Sequence, residues 1–186
     1  MPDLSTDRGE ETGLSDDPSF DCAMMGRAIE LAGEARNLGE VPVGAVVVRG
    51  GRIIAQAFNL RETLQDPTAH AERLALTWAG QSLQTWRLDD CVLYVTLEPC
   101  AMCAGAIVQS RLARLVYGAA DPKAGACASL YRLVSDRRFN HQARITAGVL
   151  GRECGEILTE FFQDRRAFRK LELSSPKQHT EGCLSG

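Results

Sequence analysis

TLEPCAMCAGA, Thr96 to Ala106, places two thiols three residues apart directly after a proline. Three readings compete for Cys100 and Cys103. A C-x-x-C beside alternating strands and helices can be a redox dithiol. It can be half of a structural metal clip, which normally closes with four Cys/His ligands, often as two such pairs. It can also supply two ligands of a working metal, which needs one further ligand and an open position for water. No second C-x-x-C exists elsewhere in the chain, which weighs against the clip.

The surroundings of this stretch read as an α/β fold. Just ahead of it, Cys91–Val95 (CVLYV) is too apolar to leave one face wet, so it predicts a central strand. The proline marks a switch from strand to a helix running from about Cys100 to Ser110. Upstream, Val43–Val48 and Ile53–Phe58 are β-rich runs joined across Gly50-Gly51, a favoured two-residue hairpin turn. Downstream lie a strand over Ala113–Tyr117, a turn at DPKAG, a short helix over Cys127–Val134 and a fifth strand over Ile145–Val149. Helices are predicted from Phe20 to Gly39, from Ala69 or His70 onward, and over Glu153–Leu171. Asn59–Thr68 reads as a polar loop. One hairpin followed by alternating strands and helices implies a three-layer α-β-α sandwich, its mixed sheet of about five strands covered by helices on both faces.

Length and composition agree with one such domain. The chain has 186 residues, 45% hydrophobic and 24% charged. No apolar run approaches the roughly 20 residues of a membrane span, and the N-terminus lacks the basic-then-apolar pattern of a secretory signal. The cytoplasm is the expected location and no membrane partner is expected. Seven scattered cysteines, an odd count, do not form the framework of a small secreted protein. Residues 1–18 read as a disordered acidic tail, 19–173 as the folded domain and 174–186 as a flexible C-terminal tail. The net charge of −3 is uneven: residues 1–21 carry seven acids and one base, which leaves the rest mildly basic. That distribution permits an RNA partner.

The missing ligand is found in PTAHAE. Of the three histidines, His179 falls in the C-terminal tail and His141 in a polar loop, whereas His70 begins a helix with Glu72 two residues on. In a first helical turn both can border one cavity. Cys100 and Cys103, at i and i+3, share a helix face, and a helix N-terminus favours the thiolate. His70, Cys100 and Cys103 would then bind Zn2+ while Glu72 handles protons without being a ligand. H-x-E followed by P-C-x-x-C is the signature of zinc deaminases. Zinc lowers the pKa of water, and Glu72 would carry the water's proton to the ring nitrogen and then to the leaving ammonia.

The long blocks EVPVGAVVV, NLRETLQDPTAHAE and WRLDDCVLYVTLEPCAMCAGAIVQSRLARLVYGA, with the short stretches DPKAG, FNH and FFQDRR, resemble the bacterial tRNA adenosine deaminases, over roughly residues 20 to 170. The PCAMCAGA run is closer to that family than to deaminases of free cytidine. The resemblance implies a fold of the cytidine-deaminase type, a homodimer, one Zn2+ per subunit, and conversion of the wobble adenosine in the anticodon loop of an arginine tRNA to inosine. A deaminase of free guanine or cytosine is the rival within the class. An inert zinc or RNA-binding protein is the rival outside it, against which the intact Glu72 argues. Residue by residue, the resemblance implies that Asn59 contacts the flipped nucleotide and that Ala71 and Glu98 line the pocket. Asp121, Lys123, Asn140 and His141 would meet the anticodon loop, and Phe161, Phe162, Arg165 and Arg166 would bring aromatic and basic groups near RNA. The bland alternatives are a turn-forming role for Asn59 and a solvated face for the two arginines. Phe161 and Phe162 lie about 100° apart on a helix, so both cannot face the core.

Overall fold

The computed structural model describes residues 17–174. Its five-stranded sheet has the order β2-β1-β3-β4-β5. Strand β1 (Gly44–Arg49) pairs antiparallel with β2 (Arg52–Phe58) and with β3 (Cys91–Leu97), while β4 (Arg114–Ala119) and β5 (Arg144–Ala147) continue it in parallel. The hairpin closes on Gly50 and Gly51 with φ of 54° and 73°, the left-handed pair that a two-residue turn demands. Strand β3 is central, and Cys91 to Thr96 are all buried.

Period-two alternation sends side chains to two cores. Ala45, Val47, Leu93, Val95, Leu115 and Tyr117 face helices α3 (Ala71–Leu83) and α4 (Ala101–Gln109), the latter being the crossover between β3 and β4. Val46, Val48, Val92, Tyr94 and Val116 face α1 (Pro18–Asn37), joined by Cys154 of α5 (Gly151–Ser174). The α-β-α sandwich expected from the sequence is the architecture found. Helix α1 lies against β1 so closely that a Cβ on Gly44 would sit 2.7 Å from the Ala32 nitrogen.

Local order departs from the sequence reading in three places. Helix α1 begins two residues early, because Asp17 caps it through Ser19 N–H at 2.9 Å and Pro18 takes the first helical position. The polar loop after Asn59 contains a one-turn helix, α2 (Arg61–Leu64). No helix spans Cys127–Val134, and only Leu133–Ser135 coils, as a 3-10 turn. The backbone bonds follow another course: the N–H groups of Cys127, Ala128 and Ser129 donate to the Glu98 carboxylate, and those of Leu130 and Leu133 reach the carbonyls of Gly125 and Ala126, so no ladder of bonds four residues apart is established. The structure of the outer parts of both tails lies outside the described residues.

On the α1 face, Arg114 makes bonds of 3.0 and 2.5 Å to the two carboxylate oxygens of Asp21, and the Tyr94 hydroxyl donates to the same carboxylate at 2.8 Å. Asp21, counted in the acidic N-terminal stretch, is thus a core residue. Asp21→Ala strips the carboxylate from a deeply buried guanidinium and is expected to cost about 3–5 kcal/mol. The denaturant midpoint reads that loss, with metal binding on the opposite helical layer retained.

Candidate metal centre and active site

Two helices aim their N-termini at one point. His70 is the N-cap of α3 and Cys100 the N-cap of α4, both in extended backbone conformation and neither using its side chain to cap its helix. Both side chains are therefore available to each other. Cys103 follows in the first turn of α4. Among the described residues, His70, Cys100 and Cys103 form the group of His, Cys, Asp and Glu side chains close enough to share an ion. His70 Nδ1 lies 3.7 Å from each sulfur. A tetrahedral zinc site with arms of about 2.0 Å to nitrogen and 2.3 Å to sulfur has N···S edges of about 3.5 Å. The donor set therefore fits zinc in chemistry and in spacing, with one position left for a non-protein ligand.

Electrostatics divide the two thiols. The Cys103 thiol and His70 hydrogen-bond to Cys100 and hold it down to about 3, a thiolate at neutral pH. The same contact with Cys100, together with burial, drives Cys103 up. The partial positive charge of the α4 N-terminus adds to the pull on the first thiol. Contact with Cys100 raises His70. Glu72, in the first turn of α3, is buried, and desolvation raises its carboxyl above the ordinary range. It stands outside the His-Cys-Cys group and borders the same cavity.

These residues open into a cavity of about 130 Å3 lined by Asn59, His70, Glu72, Glu98, Cys100 and Asp121, with Val41, Val43, Arg61, Leu97 and Ala124 completing its walls. A cavity of about 150 Å3 takes a benzene, so this one admits the leading ring of a planar base, with the rest of the molecule lying toward its mouth. Wider grooves of about 780 and 650 Å3 flank it, sharing Val41, Phe162 and Arg166. The first runs past Asn59, Arg61, Phe161 and Arg165, the second past Asp121 and Lys123.

Most residues singled out in the sequence come together here. Ala71, the first residue of α3, is fully buried between His70 and Glu72. Phe161 turns inward and Phe162 outward, in an edge-to-face pair with centroids 5.4 Å apart, and the Arg165 guanidinium lies 5.7 Å from the Phe161 ring. Asn140 and His141 are not brought to the site. They precede β5, at the opposite end of the parallel strands from Cys100, where the Asn140 carbonyl accepts from Arg111 and His141 Nε2 meets the Leu112 carbonyl at 2.7 Å.

Glu98 does more than line the wall. Its carboxylate accepts from the N–H groups of Asp121, Cys127, Ala128 and Ser129 and from the Ser129 hydroxyl, so it organises the whole 121–129 loop. Burial pushes its carboxyl up, but the Ser129, Ala128 and Asp121 donors outweigh that and hold it at about 2. A Cβ on Gly125 would collide with this carboxylate, which accounts for the glycine of DPKAG. Five wall residues were not among the site residues read from the sequence: Val41, Val43, Arg61, Leu97 and Ala124. Glu40 was missed as well; it lies behind the wall, buried in the block EVPVG, where no local pattern marks it as a hydrogen-bond hub.

The family model of the MafB19-like deaminases matches residues 20–166. A tRNA-specific adenosine deaminase of Bacillus subtilis (strain 168) is 53% identical over 146 residues, which cover 78% of this chain and 91% of the relative. The chain belongs to the tRNA-specific adenosine deaminase family. A solved structure from work on A-to-I editing by deaminases at the wobble position of transfer RNA superposes with a TM-score of 0.71 at 44% identity, covering 73% of this deaminase and 99% of that chain. A guanine deaminase from Nitrosomonas europaea superposes with a TM-score of 0.68 at 26% identity, covering 75% and 83% of the two chains.

The Glu98 network has a pH signature. A carboxyl held at about 2 against an ordinary 4.5 stabilises the fold fully above 4.5 and loses that contribution as pH falls from 4.5 toward 2. At about 1.4 kcal/mol for each tenfold change in proton affinity, roughly 3 kcal/mol is involved. Acid unfolding followed by circular dichroism is expected to steepen in that window, and Glu98→Gln to remove much of the steepening while lowering stability at pH 7.

Proposed function

We propose that this deaminase hydrolyses the wobble adenosine of an arginine tRNA anticodon to inosine, with one Zn2+ per subunit, as a homodimer in the cytoplasm. The observation that carries the reading is the small cavity ending at His70, Glu72 and Cys100 and flanked by grooves edged with aromatic and cationic side chains. A free base needs only the cavity. A flipped nucleotide of a single-stranded loop needs flanking surface as well, because its neighbours stack on aromatics and its phosphates need cations. Phe162, Arg165 and Arg166 suit that use, as does Lys123 across the second groove, whereas Phe161 is turned inward behind them and Asp121 is an anion that suits a base or sugar donor rather than a phosphate. Asn140 and His141, at the far end of the strands, fit an anticodon contact less well.

His70 Nδ1 and the two sulfurs would hold the zinc, which supplies Lewis acidity that eases deprotonation of water near neutral pH. The chain's own residues do the rest. The cavity walls hold the base with its amino-bearing carbon toward Glu72. Glu72 accepts the attacking water's proton at its carboxylate and passes it to the ring nitrogen; a second proton leaves with the amine. A C–O bond forms and a C–N bond breaks, so adenosine and water give inosine and ammonia. Burial, which raises Glu72, brings its proton affinity closer to the working pH. Asn59, on the cavity edge, offers an amide to the base.

The guanine deaminase likeness supports a second reading, deamination of free guanine. An anticodon stem-loop carrying adenosine at the wobble position separates the two: inosine should accumulate, and turnover of guanine with none of the stem-loop would overturn the proposal. Glu72→Ala is expected to keep stoichiometric zinc and lose roughly 10²–10⁴-fold in rate. Zinc content by atomic absorption checks the first half, and loss of zinc would make Glu72 a ligand.

A further inference from the structure

We infer that Glu40 is a positioning residue that fixes the sense of the Asn59 amide, so that Asn59 presents its Oδ1 to the bound base. The inference rests on the proposed use of the cavity as a base site. Glu40 is fully buried, and its backbone is anchored at the end of α1, where its N–H donates to the Ala35 carbonyl at 3.0 Å. Its two carboxylate oxygens have different jobs. Oε1 accepts the Thr63 N–H at 2.7 Å, and Oε2 accepts the Asn59 Nδ2 at 3.1 Å.

The first bond replaces a missing cap. Leu60, the N-cap of α2, has no side chain able to serve, so Glu40 reaches across from α1 and satisfies the open end of that helix. The second bond sets the amide. Burial pushes the Glu40 carboxyl up, but the Thr63, Glu62 and Arg61 donors outweigh it and keep it ionised, hence acceptor-only. Asn59 must therefore turn its NH2 toward Glu40 and its oxygen away. The Asn59 backbone cannot swing to compensate, because its N–H is held by the Val43 carbonyl at 3.0 Å and the next N–H, of Leu60, by Ala69 at 3.0 Å. Asn59 is 4% exposed and borders both the cavity it shares with His70 and Glu72 and the wider groove at its mouth. Among the described residues no buried side-chain nitrogen or oxygen lacks a partner, so Oδ1, which accepts no hydrogen bond from the protein, is accessible along that shared edge.

Glu40→Gln separates the two jobs. The fixed Thr63 N–H keeps the carboxamide oxygen on its side, which turns the new NH2 toward the Asn59 NH2. Two donors then face each other, and Asn59 relieves the conflict only by flipping. The cap of α2 survives and the contact with the base reverses. Adding Asn59→Asp restores an acceptor toward position 40 and an oxygen toward the cavity, with the same net charge as the native pair.

The test measures kcat and KM of the zinc-loaded enzyme and both variants on the wobble-adenosine stem-loop, together with side-chain amide spectra of the ¹⁵N-labelled proteins. Glu40→Gln is expected to lower kcat roughly ten- to a hundredfold, with KM within about threefold because the RNA's other contacts remain. Its Asn59 NH2 resonances should shift and lose the slow exchange of the native carboxylate-bonded proton. The double variant should recover most of kcat. An unchanged kcat, an unchanged Asn59 amide, or no recovery in the double variant overturns the inference. If the native enzyme turns over guanine rather than the stem-loop, the substrate reading fails, and the same three proteins assayed on guanine still decide the role of Glu40.

Discussion

Two helix N-termini converging on one point are the constraint around which this site is built. Each brings unbonded N–H groups and partial positive charge, and at neither does the cap side chain answer them locally. His70 and Cys100 do not cap their helices, so the positive charge at the junction is balanced by the Cys100 thiolate. The same arrangement places Glu72 in the first turn of α3, beside the His-Cys-Cys group yet not part of it. The parallel β3–β4 pair makes this convergence possible, because the α4 crossover must begin where β3 ends.

The walls of the cavity are set by two other buried carboxylates acting at long range. Glu98 gathers the 121–129 loop, and Glu40 gathers α2 and Asn59. Both are anions held in apolar surroundings by backbone N–H donors, an arrangement that stays favourable only while every donor is in place. The result is a small cavity whose polar edges are tied to the backbone on both sides. The grooves outside it are built differently, from the exposed Phe162 and arginines on a long helix, and suit a flexible polynucleotide.

How much of this was legible in the sequence follows from the range of each interaction. The hairpin, the central strand and the strand-to-helix switch at Pro99 are local signals, and they placed the sheet and both site helices within a residue or two. His70 with Glu72 and Cys100 with Cys103 are local pairs whose chemistry is distinctive. Glu98 was visible only as a wall residue because its partners lie 23 to 31 positions away, and the segment that it holds looked helical on pattern alone. Glu40 sits 19 and 23 positions from the groups it binds. Asp21 and Arg114 are 93 apart, and Asp21 read as part of an acidic tail. Residues that act through distant backbone donors leave no periodicity behind.

The claim on which the rest hangs is a three-ligand centre with an open fourth position and Glu72 beside it. Zinc-edge X-ray absorption on the metal-loaded protein tests it most directly. One nitrogen at about 2.0–2.1 Å, two sulfurs at about 2.3 Å and one light-atom ligand, all unchanged in Glu72→Gln, is the predicted result. A fourth protein ligand, whether a third sulfur or a carboxylate oxygen that disappears in Glu72→Gln, would contradict it.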